Sequence, residues 1–417
     1  MHFCSFPRDR KTYHSAAAAA AVTTTHTHTH THKQSRMSSQ PAAARAAATH
    51  LLPGLPDEVV VWEILVRLPP KALLRCRAVR RAWRLATSTR DFLLAHHARQ
   101  PTAPLLHGYN CAGDVVDSLD IIPLDNVAGA DAADQLQYSA RPGIRSVYGH
   151  GLVLHDSCDG LLLLSLYSTH SVYNPATRQY APLQQLNGFM PLGMYRHGPT
   201  GEYRLLLHPF RRSVAPDAQD GAHVFSLGSG QLPRYIGCSD TQELIHISAG
   251  SVLFHGSLHW YMNRIVMVFD TIAESFRSMR CPIVIGCEDL FEMGDMLGMF
   301  SLNYEGTSVE IWAMQDYEAE IWALKYRVEF PVAEISLQCG KFDHHWEVIV
   351  TSWDSDVLVL LRFDDWLLQV GMEGQLVASF HRKGLRPTRL RLKQSLVSHA
   401  FFPTLEGYVV NGSPFIR

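Results

Sequence analysis

The chain has 417 residues, 47% hydrophobic and 18% charged, with a formal charge of -2 and a mean hydropathy of -0.05. That is ample for a buried core and too long for one small domain, and it excludes a wholly disordered chain, a collagen-like chain and a polytopic membrane protein. The near-neutral total is a cancellation: residues 1–50 carry six basic and one acidic side chain, residues 51–100 nine and four, and residues 101–417 twenty-two and thirty-four. So acidic a body argues against nucleic acid as a partner, because neutralising phosphates requires a concentrated basic surface.

Residues 1–50 read as a disordered low-complexity leader, with six alanines at Ala16–Ala21 and a Thr-His alternation from Thr25 to His32. In an extended conformation His26, His28, His30 and His32 would project to one side as weak candidates for a transition-metal chelate, against which stands a slipped repeat with no fixed geometry. A single acid, Asp9, among Arg, Ser and Ala gives the leader a faint likeness to an organelle transit peptide, and Met37 offers a second start of translation.

From Leu51 to about residue 95 the texture is helical. Val60, Val61, Ile64, Leu65 and Leu68 follow the i, i+4, i+8 rows of an amphipathic helix that starts at Pro56-Asp57 and stops at Pro69-Pro70. A second stretch sets Leu73, Leu74, Val79, Trp83 and Leu85 among Lys71, Arg75, Arg77, Arg80, Arg81 and Arg84. Arginines so spread favour a solvated face or an acidic partner over a phosphate patch. A unit this small lies near the limit of independent stability, so a partner is expected to complete it.

Residues 105–417 form short β-type runs bounded by Gly, Pro, Asn and Asp. Five hairpin-like segments share a plan of apolar strand, polar turn and second strand: 171–180, 224–232, 268–276, 311–321 and 367–376. The strand aromatics Tyr173, Phe225, Phe269 and Trp312 recur at intervals of about 40 to 50 residues, the period of propeller blades, which predicts about six or seven of them. The chain lacks Gly-Gly and has one Trp-Asp pair, Trp353-Asp354, so kelch and WD signatures are missing, and a β-sandwich with irregular hairpins is the competing architecture. The apolar runs Leu161–Leu164 and Val357–Leu361 fall far short of the roughly 18 residues that cross a bilayer, so no membrane partner is expected.

The segment from Leu55-Pro56-Asp57-Glu58 through Ile64-Leu65, Leu68-Pro69, Leu73-Leu74 and Val79 to Trp83 resembles an F-box, with Arg80 where that family usually has Cys. Gly160-Leu-Leu-Leu-Leu164, Tyr173-Asn-Pro-Ala-Thr-Arg178, His255-Gly-Ser-Leu-His-Trp260, Phe269-Asp-Thr-x-x-Glu-x-Phe276 and Val309-Glu-Ile-Trp312 resemble phrases of the plant F-box-associated domain. The resemblance implies an α+β multidomain chain, a small all-α F-box followed by an all-β, propeller-like body. It further implies the substrate-recognition subunit of an SCF-type cullin-RING ubiquitin ligase. Its F-box would dock on an Skp-family adaptor, and through it a cullin scaffold, by way of Leu55, Pro56, Ile64, Leu65, Leu68, Pro69, Leu73, Leu74, Val79 and Trp83. Some of these side chains, Val79 and Trp83 above all, could equally fill the unit's own core. The β body would bind a protein substrate whose identity the sequence does not give. The alternatives are an F-box protein acting outside ubiquitin ligation as a small-molecule or glycan binder and, further off, a propeller hydrolase.

Signatures of catalysis are lacking: the chain has no H-E-x-x-H, no G-x-x-x-x-G-K-[ST] and no G-x-S-x-G. No cofactor and no enzymatic activity are expected. Asp156-Ser-Cys-Asp159 and Asp343-His-His345 are groupings that arise by chance in a long β protein, His255 and His259 flank a tight turn, and Asn174-Pro175, Asp270-Thr271 and Asp364-Asp365 read as turn formers. Eight cysteines without a C-x-x-C pair suit a reducing compartment, hence cytoplasm or nucleus. Seven lysines stand against thirty arginines, with none between residues 72 and 324, a bias that could limit self-ubiquitylation or reflect composition alone.

Overall fold

The structure, a computed structural model, describes residues 55–112, 115–124, 143–147, 152–166, 169–210, 219–237, 250–262, 264–282, 287–340, 346–353 and 356–402. The helical unit comes first. α1 (Asp57–Val59) runs into a π-helical turn over Val60–Ile64 and a 3-10 turn over Leu65–Arg67, then α2 (Pro70–Val79), α3 (Arg81–Ala86) and α4 (Arg90–Ala98) follow. The amphipathic helix expected from Pro56 is thus wound in three ways, which turns Val61, Leu65 and Val66 inward and leaves Ile64 exposed. Arg80, extended between α2 and α3, breaks what reads in the sequence as one helix.

Twenty-four strands then form six four-stranded antiparallel sheets. Blade 1 holds β1 (Thr102–Ala112), β2 (Val115–Pro123) and β3 (Gly143–Val147); blade 2 β4 (Leu152–Cys158), β5 (Leu161–Leu166), β6 (Thr169–Asn174) and β7 (Gln179–Pro182). Blade 3 holds β8 (Phe189–Arg196), β9 (Tyr203–Pro209), β10 (Ala222–Ser226) and β11 (Arg234–Gly237); blade 4 β12 (Val252–Phe254), β13 (Ser257–Met262), β14 (Ile265–Asp270) and β15 (Ser275–Arg280). Blade 5 holds β16 (Cys287–Met293), β17 (Met296–Leu302), β18 (Ser308–Asp316) and β19 (Ile321–Glu329), and α5 (Val332–Cys339) leads to blade 6, with β20 (Glu347–Trp353), β21 (Asp356–Phe363), β22 (Trp366–Val370) and β23 (Leu376–His381). The last strand, β24 (Arg386–Lys393), returns to pair with β1, Thr102 opposite Lys393, and completes blade 1. The body is a six-bladed β-propeller, the lower of the two counts expected, because blade 1 borrows its inner strand from the far end of the chain.

Six apolar clusters fill the six joints between neighbouring blades. This explains the unbroken apolar runs. In β5, Leu161 and Leu163 pack toward blade 3 while Leu162 and Leu164 pack toward blade 1; in β21, Val359 and Leu361 face blade 5 while Leu358 and Leu360 face blade 1. A strand sandwiched between two blades needs apolar residues on both faces, so the usual alternation disappears. The five hairpin segments of the sequence are the third-to-fourth strand connections of blades 2 to 6. In three of them an Asx residue accepts a backbone N–H within the turn and the residue four places on is left-handed: Asn174 with Arg178 (φ 60°), Asp270 with Glu274 (φ 50°) and Asp316 with Glu320 (φ 56°).

Candidate functional site

The ten side chains assigned to adaptor docking separate by burial. Leu65 (3% exposed) and Leu73 (0%) lie in the core of the helical unit with Val61, Val66, Phe92 and Leu93, so these two are withdrawn from the docking surface: a side chain enclosed by its own unit offers nothing to a partner. Leu68 and Trp83 are half-buried against the same core. Leu55, Pro56, Ile64, Pro69, Leu74 and Val79 are exposed, Val79 to 78%, which removes it from any core role. Val59, Trp62, Leu85 and Leu94 are exposed as well, none of them among those ten. Eight large apolar side chains therefore stand open to solvent between residues 55 and 94.

Charged groups brace this unit from within. Arg77, inside the arginine run, turns inward and donates to the Thr87 hydroxyl at 2.9 Å and to the Thr87 carbonyl, so it does not belong to the solvated face. Arg80 pairs with Asp57 and lies 5.7 Å from the Trp83 ring centre, tying the start of α1 to α3. His96 Nε2 donates to the Leu68 carbonyl at 2.8 Å and pins α4 to the first turns.

The helical unit is seated on the propeller by the segment that follows β24. Leu396 and Val397 complete the helical core, the Lys393 ammonium donates to the Ala98 carbonyl at 3.1 Å, and His97 Nδ1 donates to the Gln394 carbonyl at 3.2 Å. Two phrases of the sequence hold that segment down. Asn174 caps its own turn through Oδ1 and donates from Nδ2 to the Ser395 carbonyl at 3.1 Å, while Gly160 lets the segment run so close that a Cβ there would lie 2.6 Å from the Lys393 oxygen. Asn174 and the Asp159-Gly160 turn are thus more than local turn formers; their second partners lie over two hundred residues away.

Inner strands carry polar clamps. Asp156 on β4, fully enclosed, accepts from Ser157 N, from Met194 N on β8 and from the Ser251 hydroxyl ahead of β12, all at 2.7 Å, and so joins three successive blades. Burial pushes its carboxyl up to about 7 against those three bonds. On the opposite side of the ring Arg391 of β24 donates to Ser352 on β20 and pairs with Glu292 on β16 at 3.1 Å, and Arg389 pairs with Asp289. Farther out, Glu274 of blade 4 accepts from Tyr195 at 3.2 Å and from Arg204 at 2.7 Å, both in blade 3, and Glu320 of blade 5 accepts from Arg280 of blade 4 at 3.0 Å. The glutamate in the Phe269–Phe276 phrase is this staple.

These contacts account for the groupings that looked like candidate chemistry. Asp156 clamps and Asp159 accepts from the Tyr203 hydroxyl at 2.9 Å. Burial drives the thiol between them, Cys158, well above its ordinary range. His259 Nδ1 donates to the Ser257 carbonyl at 3.1 Å while Nε2 accepts from Tyr317 at 2.8 Å, a satisfied neutral imidazole behind the His255-Gly256 turn. Asp343-His-His345 and the four leader histidines lie outside the described residues. Among the described residues no group of three His, Cys, Asp or Glu side chains is placed to hold a metal, no helix is long and apolar enough to cross a membrane, and Cys76, Cys158, Cys281 and Cys339 are free thiols. The acidity of the body is local: residues 287–334, blade 5 and the start of α5, hold eleven acidic side chains against Lys325 and Arg327.

Residues 142–363 match the family model described as the F-box associated beta propeller domain. Relatives from Arabidopsis thaliana include F-box protein At5g49610, 26% identical over 69% of this chain and 80% of its own length. F-box protein At1g52495 is 27% identical over 64% and 67%, and F-box protein CPR1 25% identical over 65% and 72%. Among solved structures, a chain from a nidogen/laminin complex covers 72% of this one at 12% identity and a TM-score of 0.34, a likeness too distant to argue from. With its helical unit opening onto a propeller that this family model spans for more than half the chain, the protein belongs to the F-box associated β-propeller family and is a plant F-box protein.

Proposed function

We propose that this protein is a substrate receptor of an SCF-type cullin-RING ubiquitin ligase, with the helical unit docking on an Skp-family adaptor and the propeller holding a protein substrate. The carrying observation is the set of eight large apolar side chains that the helical unit leaves in water. A unit of this size with a satisfied core has no folding reason to expose Trp62, Leu74 and Val79, whereas a helical partner would bury them. The work of such a receptor is proximity: it holds a target lysine near a charged enzyme and supplies no bond-making group of its own. The acidic fifth blade supports encounter with a basic target through charge steering. Cytoplasm or nucleus is the compartment this role requires.

The test is co-expression with a plant Skp-family adaptor. Leu55→Ala with Pro56→Ala, and separately Val79→Arg, are expected to abolish adaptor co-purification while the propeller remains folded by circular dichroism. Co-purification of both variants at wild-type yield overturns the docking reading, and adaptor binding without cullin recruitment overturns the ligase reading.

A further inference from the structure

The joint between the helical unit and the propeller encloses a cleft of about 210 Å³. Its walls are α4, the Asp159 turn, the β8–β9 connection and residues 395–401. Its acids are already engaged. Asp159 accepts from Tyr203 at 2.9 Å with His97 Nε2 3.7 Å away, and Glu202 accepts from Arg204 at 3.0 Å and from the Thr200 hydroxyl at 3.1 Å. Arg196 lies within the field of Asp159, yet the guanidinium groups lining the cleft are not tied up in close pairs. Among the described residues neither Arg90, at the start of α4, nor Arg196, at the end of β8, makes an ion pair or a side-chain hydrogen bond. Arg196 lies beside Gly201, in a left-handed turn (φ 70°). His399 lines the same cleft, its ring packed against Tyr203 and Phe401.

From this arrangement we infer that the cleft binds a phosphate monoester, with the guanidinium groups of Arg90 and Arg196 as charge partners. Two planar guanidinium forks, neither in a close ion pair, suit a compact oxyanion of charge near -2 better than a neutral sugar or an apolar ligand. The volume admits the phosphate with a short carbon chain attached. Because the walls come from both the helical unit and blades 2 and 3, an occupant bridges them and stiffens the joint. Free phosphorylated metabolites and a phosphorylated side chain of another protein present the same group.

The test is isothermal titration of the full chain with inorganic phosphate, O-phosphoserine and a short phosphoserine peptide. One site per chain is expected for inorganic phosphate, weakened at least about tenfold by Arg90→Gln and by Arg196→Gln. Both side chains lack partners, so both variants should keep the wild-type circular dichroism. Arg264→Gln, an exposed arginine outside the cleft, should leave binding unchanged. A peptide that binds more than about tenfold tighter than O-phosphoserine assigns the ligand to a protein source, and equal binding assigns it to a free phosphate ester. No heat at 10 mM of any probe, or an equal loss with Arg264→Gln, overturns the proposal.

Discussion

The helical unit and the propeller solve the problem of a small core in opposite ways. Each blade is a thin sheet that could not bury its faces alone, yet the ring gives every blade two neighbours, and the six joints are filled without a partner. The helical unit packs on the segment carrying Leu396 and Val397 and on Ala176, spends those contacts on its core, and leaves eight large apolar side chains in water. Closure lets the body fill its own joints; the helical end, without closure, keeps apolar side chains in water.

The comparison breaks most completely if the ring is opened. A chain stopped at Leu385 lacks β24, which supplies the inner strand of blade 1, Arg389 and Arg391, and it is expected to lose cooperative unfolding in urea altogether. Next come single buried groups in each region. Leu73→Ala, in the helical core, should lower stability by about 2–5 kcal/mol by equilibrium denaturation. Asp156→Ala, which strands Met194 N–H and the Ser251 hydroxyl, should cost about 3 kcal/mol in the propeller transition.

Acid titration should produce a smaller loss. Burial holds His107, His155, His259 and His399 down near 4, below the ordinary 6.5, so the unfolded chain binds more protons between those values and stability falls as pH drops through them. Asp156, raised to about 7, acts in the reverse sense, its folded form holding a proton more tightly and its share of stability falling as pH rises from about 4 to about 7. Four histidines outweigh one carboxylate, and the urea midpoint at pH 5 should lie below that at pH 7. The smallest effect sharpens the contrast from the other side: Val79→Ser should change stability by no more than about 0.5 kcal/mol, in denaturation of the free chain, while reducing adaptor capture.

What could be read in the sequence was what depends on near neighbours. The third-to-fourth strand hairpins showed through because Asn174, Asp270 and Asp316 write their turns locally and Tyr173, Phe225 and Phe269 mark strands by period. The blade count stayed open between six and seven because nothing near residues 386–393 says that their partner begins at Thr102. Asp156 passed for a chance acid, since two of its three partners lie 38 and 95 residues away. On the helical unit the apolar rows are visible, but which of them is covered depends on the π-turn at Val60–Ile64 and on Leu396 and Val397, so the pattern alone does not separate the buried Leu65 and Leu73 from the exposed Trp62.

The returning strand also sets a schedule for synthesis. Blade 1 is translated early and waits with β1 unpaired on one side until residues 386–393 emerge, and the helical core waits a few residues longer for Leu396 and Val397. The ring and the helical core are therefore completed within about a dozen residues of one another. A ribosome that stops before residue 386 releases a chain with neither a sealed ring nor a covered helical core, so a defective message makes material for proteolysis.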